Sequence, residues 1–278
     1  MKNTTTAILL CLGLSHSVFG QLYTTNFTGG YDGTVFSEVN AGGPSFALKN
    51  PDNDGFGDDF LNYSTTGAPT GFEQVFLNYA GTAPITPNNT QDFAVSVDVT
   101  NFAGSTGLTA VAGSFAQIGL NINDADLVDG FNLYNGASSF GGAGTSDMSF
   151  FDGTNFAQPL NFSTSATILA QFSAASQTFT FSYATAAAPT FTPFSSLNIN
   201  GDGATVGTDF VDDWEMVSGG FFDISIYAGS NVLIPDEAAG LGYLNADNFQ
   251  LNVVPEPSAY SAILGFLALT AAMIRRRR

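Results

Sequence analysis

The stretch Phe93-Ala-Val-Ser-Val-Asp-Val99 alternates without a break, so an extended chain places Phe93, Val95, Val97 and Val99 on one side. Residues 177–183 repeat the device with Phe179, Phe181 and Tyr183, and residues 222–227 with Phe222, Ile224 and Ile226. A period of two cannot make the stripe that a helix buries, which recurs about every 3.6 residues. Residues 115–122, 131–134, 166–172 and 249–253 are further strand candidates, and turn-forming Gly, Asn, Asp, Ser or Pro bound each of them. No interior segment sustains a helical period; Thr208 to Val217 is the place where a helical turn or two would fit. Short strands that are apolar on one side require two sheets packed face to face. The expected class is therefore all-β, with residues 21–254 forming a single β-sandwich. Ala184 to Pro193 reads as a loop between strands, not as a domain linker.

Charge narrows the partners. Of the 278 residues 44% are apolar and 11% charged, which suffices for a substantial core. Between Gln21 and Val254 the sole cation is Lys49, whereas 23 of the 24 Asp and Glu lie there, Glu256 being the other. Such a body repels nucleic acid and anionic lipid. A divalent cation or a neutral sugar is the small partner that its charge admits.

The N-terminus has the layout of a secretory leader. Lys2 precedes the short apolar run Ala7 to Leu14, and Val18-Phe19-Gly20 offers a cleavage site before Gln21. Residues 1–20 are thus expected to be a signal peptide for the Sec route. Cys11 and His16, the one Cys and the one His, would leave with it. The mature chain then has no disulfide, thiol nucleophile or imidazole base, which excludes Ser-His-Asp chemistry and zinc-type ligand sets.

The C-terminus has three parts in order: Pro255-Glu256-Pro257, the apolar run Tyr260 to Ile274, and Arg275, Arg276, Arg277 and Arg278. As a helix the run would be about 22 Å long, against a hydrocarbon core of about 30 Å. Snorkelling arginines and the flanking Tyr260 extend its reach. Four cations directly after it hold the C-terminus in the cytoplasm and leave the body outside. The two prolines forbid helix continuation and keep the preceding segment extended for a protease. This tail resembles the PEP-CTERM sorting signal of Gram-negative bacteria. The resemblance implies an exosortase as a transient partner that cleaves near Pro255 to Pro257, and an association with extracellular polysaccharide. It also implies transient anchoring in the inner membrane, then residence at the cell surface or in the extracellular matrix.

A second resemblance concerns the body. Ala166 to Phe172, the turn Ser173 to Ser176 and Gln177 to Ala184 resemble the hairpin that crosses one sheet of a concanavalin-like (laminin-G or legume-lectin type) jelly roll. Gly242 to Phe249 resembles the closing strand that precedes PEP-CTERM tails. The fold implied is a single jelly-roll-type sandwich.

Three clusters could carry chemistry. Asp52-Asn53-Asp54-Gly55-Phe56-Gly57-Asp58-Asp59 spaces oxygens as calcium loops do, and resembles their Asp-x-Asp-x-Asp-Gly opening. It departs from them in the early Asp54-Gly55 and in lacking a distal Glu, so Asp52, Asp54, Asp58 and Asp59 are either calcium ligands or an acidic turn. Asn121 to Gly130 and Asn198 to Gly203 are further acidic or amide-rich turns. For sugar stacking the candidates are Trp214, Tyr134 and Tyr243, weighed against the use of alternating aromatics as core. Paired carboxylates are the remaining acid–base apparatus, but Glu38, Glu73, Glu215 and Glu237 are scattered. Hydrolases of the concanavalin-like fold carry Glu-x-Asp-x-x-Glu on one strand, and the chain has no such run. No catalytic residues are assigned, and the protein is not expected to be an enzyme. The expectation is an exported, sorted surface or matrix protein with a structural or adhesive role. The alternatives are a calcium-dependent carbohydrate-binding module and, behind it, a glycoside hydrolase. Protein purified from its native host should begin at Gln21 and end near Pro255 to Pro257 by intact mass; an intact Arg275 to Arg278 tail in the membrane fraction would refute the sorting expectation.

Overall fold

The computed structural model describes residues 21–27, 31–41, 43–49, 60–65, 67, 69, 71–79, 85–101, 113–124, 130–138, 145–151, 156–157, 165–200, 210–211, 214, 216–234 and 244–254. In chain order the strands are β1 (Gln21–Thr25), β2 (Phe36–Ala41), β3 (Pro44–Lys49), β4 (Phe60–Thr65), β5 (Glu73–Tyr79) and β6 (Phe93–Asn101). There follow β7 (Phe115–Asp124), β8 (Gly130–Ser138), β9 (Thr145–Phe151), β10 (Phe156–Ala157), β11 (Ser165–Ser173) and β12 (Thr178–Thr185). The last four are β13 (Ala188–Asn198), β14 (Phe210–Val211), β15 (Phe222–Ser230) and β16 (Leu244–Val253). No helix occurs among the described residues.

These strands form two sheets. A nine-stranded sheet runs β14-β13-β12-β11-β6-β16-β4-β3, with β1 added on β16, and a seven-stranded sheet runs β10-β9-β8-β7-β15-β5-β2. The alternation in residues 93–99 becomes the buried and half-buried alternation along β6, whose apolar side faces the second sheet. Aromatic rings join the two layers: Phe131 of β8 meets Phe179 and Phe181 of β12 at 5.0 and 4.7 Å, and Phe222 of β15 meets Phe93 and Phe172 at 5.2 and 5.0 Å. A second aromatic group, Tyr23, Phe36, Tyr79 and Phe249, closes the other end. Nine of the described phenylalanines belong to this core. Burial of this kind of surface is the main favourable term in folding.

Two expectations are corrected. Ala184 to Pro193 is mostly strand: β13 starts at Ala188, after a tight turn in which the Ala188 N–H donates to Thr185 Oγ1 at 3.1 Å. Pro189 and Pro193 are tolerated because β14 pairs with β13 only at Leu197 and Asn198, leaving the proline-bearing length an edge. Within Thr208 to Val217, Phe210–Val211 is a short parallel strand and not a helical turn. The Trp214 N–H that follows donates to the Ile199 carbonyl at 3.0 Å. The ends of the described chain lie side by side, Gln21 paired with Val253. The leader, the Asp52 to Asp59 loop, Tyr243, Pro255, Glu256, Pro257, Tyr260 to Ile274 and the four arginines lie outside the described residues.

Phe179 is fully buried against rings from both sheets. Phe179→Ala should lower unfolding free energy by about 3–5 kcal/mol in a urea titration. Val217→Ala, at an exposed position, should change it by less than about 0.5 kcal/mol. Equal effects from the two would contradict the packing described.

Candidate functional site

β7 and β15 stand in the middle of the seven-stranded sheet and are buried on both sides. Ile118, Leu120 and Ile122 of β7, and Ile224, Ile226 and Ala228 of β15, belong to the core between the sheets. Tyr227 is equally buried but lies outside that core cluster. Strand alternation puts it on the opposite, outer face with Ser225 and Gly229, and puts Gln117, Gly119, Asn121 and Asn123 there from β7.

Register arranges this outer face in rows. In one row Phe76, Tyr227, Gly119 and Tyr134 are successive cross-strand neighbours from β5, β15, β7 and β8. Phe76 stacks on Tyr227 with centroids 6.0 Å apart and planes at 23°, and Tyr134 meets Tyr227 edge-on at 6.3 Å. A Cβ on Gly119 would collide with the backbone of Leu133 and Tyr134, so no side chain can stand between the two tyrosines on β7. The next row is polar: Ser37, Asn78, Ser225, Asn121 and Asn132. Ser225 Oγ donates to Asn78 Oδ1 at 2.8 Å, and Asn121 Nδ2 donates to Asn132 Oδ1 at 2.9 Å. Asn123 Nδ2 donates back to Asn121 Oδ1 at 2.6 Å. Asp223 pairs with Asn123 beyond this row. On the other flank Phe72 covers Gly229 and lies 4.7 Å from Phe115.

The face is chemically neutral at its centre. Burial, with a smaller contribution from Tyr134, pushes the Tyr227 phenol well above its usual value, so it stays protonated. Its hydroxyl has no hydrogen-bond partner within the protein. Burial, then the neighbouring Asp124 carboxylate, raises Asp223 above the ordinary carboxyl value. Aromatic rings beside amides and hydroxyls can hold an uncharged, hydroxyl-rich molecule: rings cover its C–H faces, and amides accept and donate to its hydroxyls.

The structure separates the residues singled out from the sequence. Tyr134 is half-buried in the aromatic row. Trp214 is corrected: it is 2% exposed and packs on Phe131, Phe179 and Phe222 in the core, so its ring offers no surface to a sugar. Its size explains the reversal, since a lone indole fills the inter-sheet space better than any other side chain here. Of the amide-rich turns, Asn121 and Asn123 sit in β7 and bond to each other, and Asn198 Oδ1 accepts from the Asn200 N–H at 2.9 Å. Glu38 accepts from the Tyr31 hydroxyl, at 3.4 Å, and Glu215 and Glu237 lie outside the described residues. Sequence reasoning missed Tyr227, Phe76, Asn78 and Ser225. Their signal was phase: Tyr227 follows Ile226 and Phe76 follows Val75, each out of step with the core residues of its own strand.

No protein-family model and no curated protein matches the sequence. Among solved structures, lectin I from Ulex europaeus in complex with the methyl glycoside of α-L-fucose is similar at 11% identity and a TM-score of 0.49, over 84% of this chain and 98% of that one. Lectin UEA-II complexed with galactose gives 10% identity and a TM-score of 0.47 over 84% and 99%. An endo-1,3-β-glucanase from Streptomyces sioyaensis gives 12% and 0.43 over 86% and 97%. At these values the similarity bears on neither ligand nor activity.

A carboxyl raised in the folded state favours folding only while it is protonated, so the contribution of Asp223 is present below the ordinary value of 3.8 and lost as pH rises through the raised one. Asp223→Asn should therefore raise the melting temperature slightly at neutral pH, by an amount that solvent access keeps small. The gain should vanish below the ordinary carboxyl range; a gain constant with pH would refute the cause assigned.

Proposed function

We propose that the sandwich is a non-catalytic glycan-binding module of an exported surface or matrix protein, and that the outer face of the seven-stranded sheet takes a neutral polysaccharide. The observation that carries this reading is the pair of half-buried rings Phe76 and Tyr134, braced by the buried Tyr227 between them, beside the half-buried amides of Asn78, Asn132 and Asn123. The absence of Lys and Arg from β5, β7, β8 and β15 favours an uncharged ligand over an anionic one. An adhesive role follows from binding without turnover. Delivery by the Sec route and sorting by an exosortase rest on the leader and on the Pro255-Glu256-Pro257 tail, and would place such a module beside extracellular polysaccharide. The carboxylate spacing of Asp52, Asp54, Asp58 and Asp59 supports a calcium-assisted form of the same reading, while the aromatic and amide rows bind without an ion.

Isothermal titration with the neutral polysaccharide fraction of the producing bacterium's matrix tests this reading. Binding should occur in calcium and in chelator alike, and Tyr134→Ala should weaken it about tenfold, the loss of one stacking platform. Binding that chelator abolishes would move the site to the calcium loop. Release of reducing ends would make the protein a hydrolase, and no binding to that fraction would remove the reading.

A further inference from the structure

The outer face of the nine-stranded sheet carries a groove of about 430 Å³, within the span of about 300–1,000 Å³ usual for ligand sites. Its floor lies on β6 and β11, and the β12–β13 hairpin forms its wall. Asp98 of β6 stands opposite Thr167 of β11, and Thr100 opposite Ser165. The Thr167 hydroxyl donates to Asp98 Oδ1, and the Thr100 and Ser165 hydroxyls are 2.9 Å apart. From β16, Asn248 Nδ2 donates to Asp98 Oδ2 at 2.9 Å. Asn248 reaches it because β16 is bulged between Asp247 and Gln250, with Asn248 in the left-handed region at φ 50°. Asn tolerates that conformation, and a bulge of this kind re-aims a side chain. Phe191 in the wall is 41% exposed.

We infer that this groove is a second glycan site, so that one molecule holds two polysaccharide chains at once, on opposite faces of the sandwich. The inference rests on the glycan-binding reading of the first face. The Asp98 carboxylate has acceptor capacity left after its two bonds and makes charge-assisted bonds to sugar hydroxyls. The Thr100 and Ser165 hydroxyls both donate and accept, and the Phe191 ring covers a C–H face. No cation is among the described residues that line the groove, so an anionic polymer meets no counter-charge from them. Two sheets lie between the sites, so one segment of polymer cannot fill both. The protein is then a cross-link: occupied on one face, it presents the other at high local concentration to a neighbouring chain.

Two measurements on the mature protein test this. Titration with short oligosaccharides cut from the neutral matrix polysaccharide counts sites per chain, and turbidity with the intact polymer reports cross-linking. Wild type should show about two sites and turn the polymer turbid, as bivalent binding requires. Asp98→Asn combined with Phe191→Ala, and separately Tyr134→Ala, should each leave about one site and no turbidity. Asp98→Asn alone, which preserves shape, should weaken the second site with an unchanged melting curve. The inference is overturned if the Asp98 and Phe191 double variant matches wild type in both readouts. A wild type with a single site that Tyr134→Ala removes also overturns it, while leaving the first face intact. A wild type that binds no oligosaccharide overturns both.

Discussion

Everything in this molecule hangs on the aromatic packing between its two sheets. Phe131, Phe179, Phe181 and Phe222, with Phe93 and Phe172, meet at centroid distances of 4.7 to 5.4 Å from opposite layers. Packed sheets stand about 10 Å apart, a gap that a phenyl ring from each side fills without strain. Edge-to-face pairs add about 0.5–1.5 kcal/mol beyond the area they bury. Trp214 shows how strongly that space attracts rings. Its Nε1 has no hydrogen-bond partner in the core, a loss of about 1–3 kcal/mol that the burial of a large aromatic offsets.

The rings that stand outside this core cluster gain meaning. Phe76, Tyr227 and Tyr134 form one row on one sheet, while Phe191 flanks a groove on the other. Around these rings the strands carry amides and hydroxyls more often than charged side chains. The acidic surplus of such a body repels polyanions.

The sandwich was legible where the alternation was clean. Residues 93–99 and 166–172 could be read because each buries mainly one side, with apolar residues on that side, and residues 222–227 because Phe222, Ile224 and Ile226 alternate even though β15 is buried on both sides. β1 to β5 were not legible as strands, since Asn, Ser, Thr and Tyr interrupt their pattern and pairing alone defines them. β13 was hidden by Pro189 and Pro193, which argue against a strand unless its edge position is known. The candidate face was concealed for a different reason. Tyr134 was visible as an aromatic near a turn, but its neighbours Tyr227 and Phe76 come from strands far apart in sequence, and only register sets them side by side. Trp214 was misjudged because its polar, acidic neighbours suggest a surface loop, whereas its own volume sends it inward.

The topology also times assembly. β16 is the final strand of the sandwich, yet it lies in the interior of the nine-stranded sheet, hydrogen-bonded to β6 on one side and to β4 and β1 on the other. Without it the sheet is two fragments with nothing between them, and the first strand has no partner. Long-range pairing of this kind is slow and closes large loops. The nine-stranded sheet therefore cannot close until residue 253 has left the ribosome, however early the seven-stranded sheet forms. Closure of this sheet is the last step in the making of the sandwich, because the strand that joins its two fragments is the last to be synthesised.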